Sequence, residues 1–200
     1  MDVVLASGPW KNNAELIRDA VVPLGYLDES MEVLDPTFGL GRFWSLWRPP
    51  MLVASDLEPA KSPVGYSVDF THLPWGDDSF DAVVFDPPYK LNGTGGSHAS
   101  DEGYGVADSC SWQERHRLIR MGMSEARRVL RPGGRLMLKC QDQVCSGQVR
   151  WQTDEFSEHG RELGLRKIDR FDLPSYRAQP AGRRQVHARR NYSTLLVFKR

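Results

Sequence analysis

Short apolar runs alternate along the chain with longer segments in which apolar residues recur at helical spacing. The apolar runs predict strands at Met31–Asp35, Met51–Asp56, Val64–Asp69, Phe80–Phe85, Arg135–Cys140, Leu165–Phe171 and Ser193–Phe198. The helical spacing predicts helices at Asn12–Val22, Ser111–Leu130 and Thr153–Leu163. Strands that alternate with helices are typical of α/β folds with a largely parallel sheet.

Two stretches between these elements are predicted to be long loops. Lys90–Asp108 is rich in Gly, Ser and polar residues, and Pro174–Arg190 is basic. Long loops inside a compact domain are usually functional or disordered. In an open parallel sheet the ligand lies at the carboxyl ends of the strands, so we expect both loops near the substrate.

Length and composition indicate an ordinary globular protein. The 200 residues suit one domain, 1–200, and 40% of them are hydrophobic. No apolar run is long enough to span a bilayer and the N-terminus lacks signal-peptide order, so we expect a cytoplasmic protein without a membrane partner. Cys110, Cys140 and Cys145 form no CxxC pair and no ligand pattern with the histidines, so neither a metal site nor a disulfide framework is predicted.

Charge is distributed unevenly although the formal net charge is zero. From Leu173 to Arg200 there is no acidic residue, whereas acidic residues are frequent between Asp69 and Asp86. A solvated surface is one interpretation of the basic segment. A binding site for a polyanionic substrate is the other, and a basic lobe beside an acidic pocket favours it.

The segment Asp86-Pro87-Pro88-Tyr89 follows the predicted strand Phe80–Phe85. Two prolines stiffen the turn and remove two backbone donors, so nearby carbonyl groups are left to accept hydrogen bonds. A carboxylate and a carbonyl together can hold the two hydrogens of an exocyclic amine, and Tyr89 offers a flat face for a planar base. Such a segment can also form an ordinary turn. The functional interpretation is a site for a flat molecule that carries an NH2 group.

A second candidate site combines a glycine turn with two acidic residues. Asp35 is followed by glycines at 39 and 41, and Asp56 ends the next predicted strand. An acid about 20 residues after a glycine turn suits the binding of ribose hydroxyls. Trp44 stands where a dinucleotide fingerprint needs its third glycine, and the turn lacks the lysine of a phosphate-binding loop. The turn therefore does not look suited to a pyrophosphate.

Taken in order, these segments resemble the class I S-adenosylmethionine-dependent methyltransferases, and the resemblance covers nearly the whole chain. The first motif matches 35–41, the second ends at Asp56, the third ends at Asp69, and 128–136 resembles the family's helix-to-strand turn. The resemblance implies a Rossmann-like α/β fold with a seven-stranded, mostly parallel sheet, helices on both faces and an antiparallel last strand, Ser193–Phe198.

The resemblance also implies roles for single residues. The cofactor S-adenosylmethionine would bind at Lys11, Asp35, Thr37, Gly39, Gly41, Asp56, Asp69 and Phe70. Within this set Asp56 would bind the ribose, Asp69 would accept the adenine amine, and Phe70 would pack on the adenine ring. Lys11 would pair with the methionine carboxylate, although a solvated lysine is the alternative there. The catalytic residues would be Asp86, Pro87, Pro88 and Tyr89.

The segment headed by Asp86 resembles the amino-methyltransferases of nucleic acids. The favoured function is methylation of adenine N6 in DNA, as in small stand-alone enzymes of phages and mobile elements. Methylation of guanine N2 in RNA is the alternative, and a non-catalytic partner that binds nucleic acid is a third possibility. Arg183, Arg184, Arg189 and Arg190 are the predicted nucleic-acid contacts. Because no separate target-recognition domain is evident, a specificity partner or a homodimer is also considered.

Overall fold

The computed structural model describes residues 4–91, 110–175, 186–188 and 190–200. The strands of this part of the chain are β1 (Val33–Asp35), β2 (Leu52–Ala54), β3 (Phe80–Phe85), β4 (Leu130–Cys140), β5 (Gln143–Cys145), β6 (Gln148–Arg150), β7 (Arg166–Pro174) and β8 (Tyr192–Lys199). Its helices are α1 (Asn13–Leu16), which continues as a π-helix (Ile17–Val21), α2 (Trp112–Val129) and α3 (Gln152–Glu162). Single 3₁₀ turns lie at Arg42–Trp44 and Pro59–Lys61.

Within the described ranges, six strands form one sheet in the order β2-β1-β3-β4-β8-β7, and β5 and β6 form a separate hairpin. β2, β1, β3 and β4 run parallel to one another. β8 is antiparallel to both β4 and β7 and lies between them. The predicted mostly parallel α/β sheet with an antiparallel last strand is therefore confirmed.

Helices cover both faces of the sheet, and the central strands are therefore buried on both sides. On one face, Val83, Phe85 and Leu138 pack with Ile119 of α2 and Phe156 of α3. The opposite face forms a second apolar cluster with the N-terminal helical segment, and its members include Leu16, Ile17, Val33, Val84, Met137, Phe171, Leu195 and Val197. Consecutive residues of one strand, such as Val83 and Val84, belong to different clusters, as the period of two requires.

The helix boundaries follow from side-chain caps. Ser111 accepts a hydrogen bond from the backbone N–H of Glu114 at the start of α2, and Asn12 accepts one from Glu15 at the start of α1. α2 ends where β4 begins at Leu130, close to the predicted boundary. Two of the predicted helices thus agree with the structure within about two residues, whereas only Asn13–Leu16 of the first is regular α-helix.

The prediction of a seventh strand at Val64–Asp69 is wrong for this structure. A single bridge between Asp56 and Ser67 is all that joins this segment to the sheet. Gly65 has a φ of 83°, a left-handed conformation that interrupts an extended strand. The hairpin β5–β6 was not predicted. Most of the two predicted loops, 92–109 and 176–185, lies outside the described residues, and β7 extends into the start of the second loop as far as Pro174.

None of the helices in the described ranges is both long enough and apolar enough to cross a membrane.

Gly122 of α2 provides a test of this packing. A Cβ atom at Gly122 would lie 2.5 Å from Phe85 and 2.8 Å from Phe70. Alanine normally stabilises a helix interior by about 1 kcal/mol relative to glycine. Here we expect Gly122→Ala to destabilise the protein by roughly 1–3 kcal/mol, because the rings cannot move without cost. Chemical denaturation measures the difference, and Ser124→Ala on the same helix is the control. A stabilised Gly122→Ala variant would contradict this packing.

Candidate active site

The site is built around the buried carboxylate of Asp35, at the carboxyl end of β1. Asp35 is 3% exposed. Its Oδ2 accepts a hydrogen bond from Nε1 of Trp44 at 2.8 Å, and its Oδ1 accepts one from the backbone N–H of Thr37 at 3.0 Å. Burial, with a smaller contribution from the charge of Asp86, raises the pKa of Asp35 to about 7, although these hydrogen bonds lower it. Asp35 can therefore exchange a proton near neutral pH.

Thr37 connects the glycine turn to the segment that begins at Asp86. Its Oγ1 accepts a hydrogen bond from the backbone N–H of Asp86 at 2.9 Å. Because β1 and β3 are parallel neighbours, their carboxyl ends meet at the same edge of the sheet. The structure thus brings together Asp35, Thr37 and Asp86, which the sequence assigned to two different motifs.

The glycine turn needs glycine for two different reasons. Gly39 and Gly41 have φ angles of 56° and 65°, in the left-handed region that favours glycine. A Cβ atom at Gly41 would also lie 2.6 Å from the ring of Phe38. At Gly39 the nearest atom to such a Cβ is 4.0 Å away, so the backbone there is open on one side. A ligand could approach the turn closely at Gly39.

Asp56 supports this turn from the end of the next strand. It is 4% exposed, and its Oδ2 accepts a hydrogen bond from the N–H of Gly39 at 2.8 Å. Its Oδ1 accepts one from the N–H of Glu58 at 2.9 Å. Each carboxylate oxygen has a second lone pair. Asp56 is therefore an organiser of the glycine turn, and its binding of ribose hydroxyls stays a prediction.

The other predicted cofactor residues lie at the edges of the site. Asp69 is exposed, and its Oδ1 accepts hydrogen bonds from the N–H and hydroxyl of Thr71, both at 2.8 Å. The ring of Phe70 stands edge-on to Phe85, with the centroids 5.1 Å apart. Lys11 is exposed just before α1. Their cofactor contacts stay predictions.

Three side chains outside the motif hold the segment after Asp86 in place. Nη1 of Arg115, which is 2% exposed, donates to the carbonyl of Pro88 at 2.7 Å. Gln143 and Gln152 donate from Nε2 to the carbonyl of Tyr89 at 2.9 and 2.8 Å. The carbonyl of Pro87 accepts only a local bond from the N–H of Tyr89, at 2.7 Å, among the bonds that the structure describes here. The second lone pair of the Pro87 carbonyl oxygen can therefore accept a hydrogen bond from a ligand.

Gln152 is itself fixed by a buried polar chain. Its Nε2 lies 3.3 Å from Nε2 of His116, and Nδ1 of His116 lies 2.7 Å from Glu155. Both ring nitrogens of His116 are therefore within hydrogen-bond distance of a polar side chain. The contact with His116 lowers the pKa of Glu155. Nothing in the sequence alone singled out Arg115, His116, Gln143 or Gln152, because their partners are distant in the chain.

Lys139 is another residue that the sequence interpretation missed. It is 1% exposed in β4, in a run of otherwise apolar residues from Leu136 to Cys140. A charged residue in the middle of a buried parallel strand breaks the expected pattern. That break was the available sequence signal for Lys139.

Of the four predicted nucleic-acid contacts, Arg190 alone is described, and Arg183, Arg184 and Arg189 lie outside the described residues. The guanidinium of Arg190 lies over the ring of Trp151, 4.7 Å from its centroid, and Trp151 is 46% exposed. Arg150 stacks on Trp112 at 3.9 Å in the same way. Trp151 directly precedes Gln152, so the stacked pair of Trp151 and Arg190 adjoins the Tyr89 end of the site.

Among the described residues, no group of three or more His, Cys, Asp or Glu side chains is arranged to hold a metal ion.

Comparison with known proteins was informative at the level of structure. No protein-family model and no curated protein matches the chain. A Bacillus halodurans C-125 protein with a provisional methyltransferase assignment matches with a TM-score of 0.58 and 15% identity, over 94% of this chain and 98% of the other. A Thermotoga maritima S-adenosylmethionine-dependent methyltransferase matches with a TM-score of 0.56 and 13% identity, over 94% and 87%. The chain has the Rossmann-like methyltransferase fold.

The same fold also occurs in proteins with another reaction. The 4+2 cyclase SpnF matches with a TM-score of 0.56 and 17% identity, over 95% of this chain and 85% of that one. At such identities the methyltransferase fold does not by itself assign an activity.

The raised pKa of Asp35 predicts a pH-dependent stability. Its ordinary value is 3.8 and its value in the folded protein is about 7, so folding takes up a proton between these limits. The contribution of Asp35 to the free energy of unfolding is therefore greatest below pH 4 and falls as the pH rises through 7. Between pH 5 and pH 8 we expect the free energy of unfolding to fall more for wild type than for Asp35→Asn. Chemical denaturation of both proteins at the two pH values measures this difference. An equal difference at both values would contradict the assignment, because lost hydrogen bonds alone are independent of pH.

Proposed function

We propose that this protein transfers a methyl group from S-adenosylmethionine to an exocyclic amine of a nucleic-acid base, with adenine N6 in DNA as the favoured target. The observation that carries this proposal is the hydrogen bond from the N–H of Asp86 to Oγ1 of Thr37. It joins a pair of amine acceptors, the Asp86 carboxylate and the Pro87 carbonyl, to a glycine turn suited to a nucleoside cofactor.

The residues of the glycine turn fit this cofactor in charge and shape. When bound, S-adenosylmethionine supplies an electrophilic methyl group on a positively charged sulfonium. Asp35 and Asp86 provide carboxylates at the adjoining ends of β1 and β3, which suit a ligand with a cationic sulfonium and ammonium. A ligand can approach the backbone of Gly39 closely. The atom nearest to a Cβ placed there, the carbonyl oxygen of Thr37, is 4.0 Å away.

The chemical role of this chain is to position and polarise the amine. An aromatic amine is a poor nucleophile because its lone pair is delocalised into the ring. The Asp86 carboxylate and the Pro87 carbonyl would each accept one N–H, which favours a pyramidal nitrogen with a directed lone pair. Arg115, Gln143 and Gln152 hold the carbonyl groups that follow, so the two acceptors keep their orientation.

The aromatic and basic surface next to Tyr89 supports a nucleic-acid substrate. Trp151 is exposed and Arg190 lies over its ring. Exposed aromatic rings stack on unpaired bases, and arginines bind phosphate groups. A target base would have to leave a duplex to reach Asp86, so a stacking surface beside the pocket suits this chemistry.

A direct assay tests the proposal. Labelled S-adenosylmethionine is incubated with the protein and with DNA or total RNA, and the digested nucleosides are identified by mass. The expected product is N6-methyldeoxyadenosine. N2-methylguanosine would replace the DNA proposal by the RNA alternative. Intact cofactor binding without transfer to either substrate would overturn the nucleic-acid methylation proposal for the isolated chain.

Removal of the Asp86 carboxylate should abolish turnover. We expect Asp86→Ala to reduce the rate of methyl transfer at least ~100-fold, because one amine hydrogen loses its acceptor. The cofactor dissociation constant, measured by calorimetry, should change little. Asp154→Asn is the matched control, since Asp154 is an exposed acid on α3. Full activity of Asp86→Ala would contradict this mechanism.

Trp151 and Arg190 should affect nucleic-acid binding in different ways. Arg190→Ala should reduce the slope of log affinity against log salt by about one, because one phosphate contact is lost. Trp151→Ala should weaken binding by roughly 1–3 kcal/mol, because one stacking contact is lost. The slope should not change, because a tryptophan ring neutralises no phosphate. Fluorescence anisotropy with single-stranded oligonucleotides measures both quantities. Arg161→Ala, an exposed arginine near the other end of α3, is the control, and equal effects of all three variants would point to non-specific surface binding.

A further inference from the structure

Lys139 is a lysine buried in the centre of the sheet. It lies near the end of β4 and is 1% exposed, so its whole length is removed from solvent. Its Nζ has no hydrogen-bond partner among the residues that the structure describes. A lysine is almost never fully buried unless its charge is paired, and burial without compensation is costly. Packing alone therefore does not account for a lysine at this position.

Strand register brings Lys139 next to Asp86. Phe85 of β3 pairs with Leu138 of β4, and both side chains lie in the cluster with α2 and α3. Side chains alternate between the faces of a sheet. The next residue of each strand, Asp86 in one and Lys139 in the other, therefore points to the opposite face, and the two are lateral neighbours there.

Asp35 lies on this same face at the end of β1. It follows Leu34, which pairs with Val83 and shares a cluster with it. Asp35, Asp86 and Lys139 thus lie near the carboxyl ends of three adjacent parallel strands and on the same face, with Asp35 level with Val84, two residues before Asp86. Around them the face is apolar, with Leu195 as the register partner of Lys139 on β8. The arrangement places two acids and one base in surroundings with little water.

Three ionisable groups in the described part of the chain act on the charge of Lys139. Asp86 has the largest effect among them and favours the ammonium form, and smaller effects come from Cys140 of β4 and Asp172 of β7. Asp35 acts on Asp86 from the other side. Since neighbouring carboxylates repel each other, one of them tends to take up a proton unless a cation lies nearby.

We propose that Lys139 is the buried counter-ion of Asp86, which keeps the Asp86 carboxylate ionised beside Asp35 and so makes Lys139 a positioning residue for the proposed methyl transfer. The inference rests on the proposed function for its catalytic consequence only. A protonated Asp86 would present an O–H donor to an amine hydrogen, whereas the ionised form presents acceptors alone. Lys139 thus acts through Asp86 and does not touch the substrate.

The protonation state of Lys139 agrees with this role. Burial lowers its pKa to about 8, and the negative charge of Asp86 opposes that shift. The ammonium form is therefore the main one at neutral pH. The pKa of Asp35 is about 7, so Asp35 is partly protonated at neutral pH and can carry the proton that the site retains.

The test compares wild type with Lys139→Met, which keeps the length and the apolar packing of the side chain but removes the charge. Asp carboxyl groups are labelled with ¹³C, and Asp86 is assigned by its absence in Asp86→Asn. The titration midpoint of Asp86 is then measured by NMR in protein without cofactor. We expect the midpoint to rise by about one pH unit or more in Lys139→Met. Met137→Leu, a buried neighbour on the same strand, is the control and should titrate like wild type.

Kinetics provide the second readout. The acid limb of kcat/KM should move to higher pH in Lys139→Met, with about a tenfold loss at pH 6 and recovery to within a few-fold of wild type at pH 9. Lys139→Arg keeps a charge and should retain more of the wild-type profile. A loss that is equal at every pH would indicate a structural role and overturn the inference.

The two readouts separate this inference from the proposed function. A shifted Asp86 midpoint in a protein without methyl transfer would support the counter-ion and overturn the activity. An unshifted midpoint would overturn the counter-ion even if methyl transfer is found. Where Lys139→Met does not fold, wild type alone decides: the Asp86 resonance should show a second step near pH 8 as Lys139 loses its proton, and its absence overturns the inference.

Discussion

The carboxylate of Asp35 has both oxygens hydrogen-bonded inside the protein, and the rest of the site depends on this arrangement. A buried carboxylate needs such donors, because leaving it without them would cost far more than the hydrogen bonds themselves contribute. The donors come from Trp44 and from the backbone of Thr37, so the chain has to turn back over the end of β1. That turn places the Thr37 hydroxyl where it accepts the N–H of Asp86. One buried carboxyl group thus fixes the relation between the glycine turn and the amine-binding segment.

The amine-binding segment is held from its other side by elements that come later in the chain. Arg115 of α2, Gln143 of β5 and Gln152 of α3 each donate to a carbonyl of Pro88 or Tyr89. Each bond contributes on the order of 1 kcal/mol to stability, and hydrogen bonds from a charged donor contribute more. Their larger effect is on geometry, since the local bond from the N–H of Tyr89 to the carbonyl of Pro87 does not by itself fix the segment relative to the rest of the protein. The proposed chemistry needs fixed acceptors, and these three side chains supply the constraint.

Agreement between sequence and structure is best where one physical signal dominates. β3 was predicted residue for residue at Phe80–Phe85, because a largely apolar run with turn residues at its end is typical of a buried parallel strand. Val64–Asp69 has a similar composition, but it forms only one bridge because Gly65 turns the chain. The hairpin β5–β6 escaped prediction, since its short strands lack a clear alternation and pair only with each other.

By itself the sequence determined the α/β class, the order of the strands along the chain and the position of Asp35, Asp56 and Asp86 after strands, since periodicity and turn chemistry are local properties. The tertiary structure alone decided that Asp56 binds the N–H of Gly39, that Gln143 and Gln152 meet at Tyr89, and that Lys139 lies beside Asp86. These contacts join residues 17 to 63 positions apart. They follow from sheet register and burial, which a local pattern does not encode.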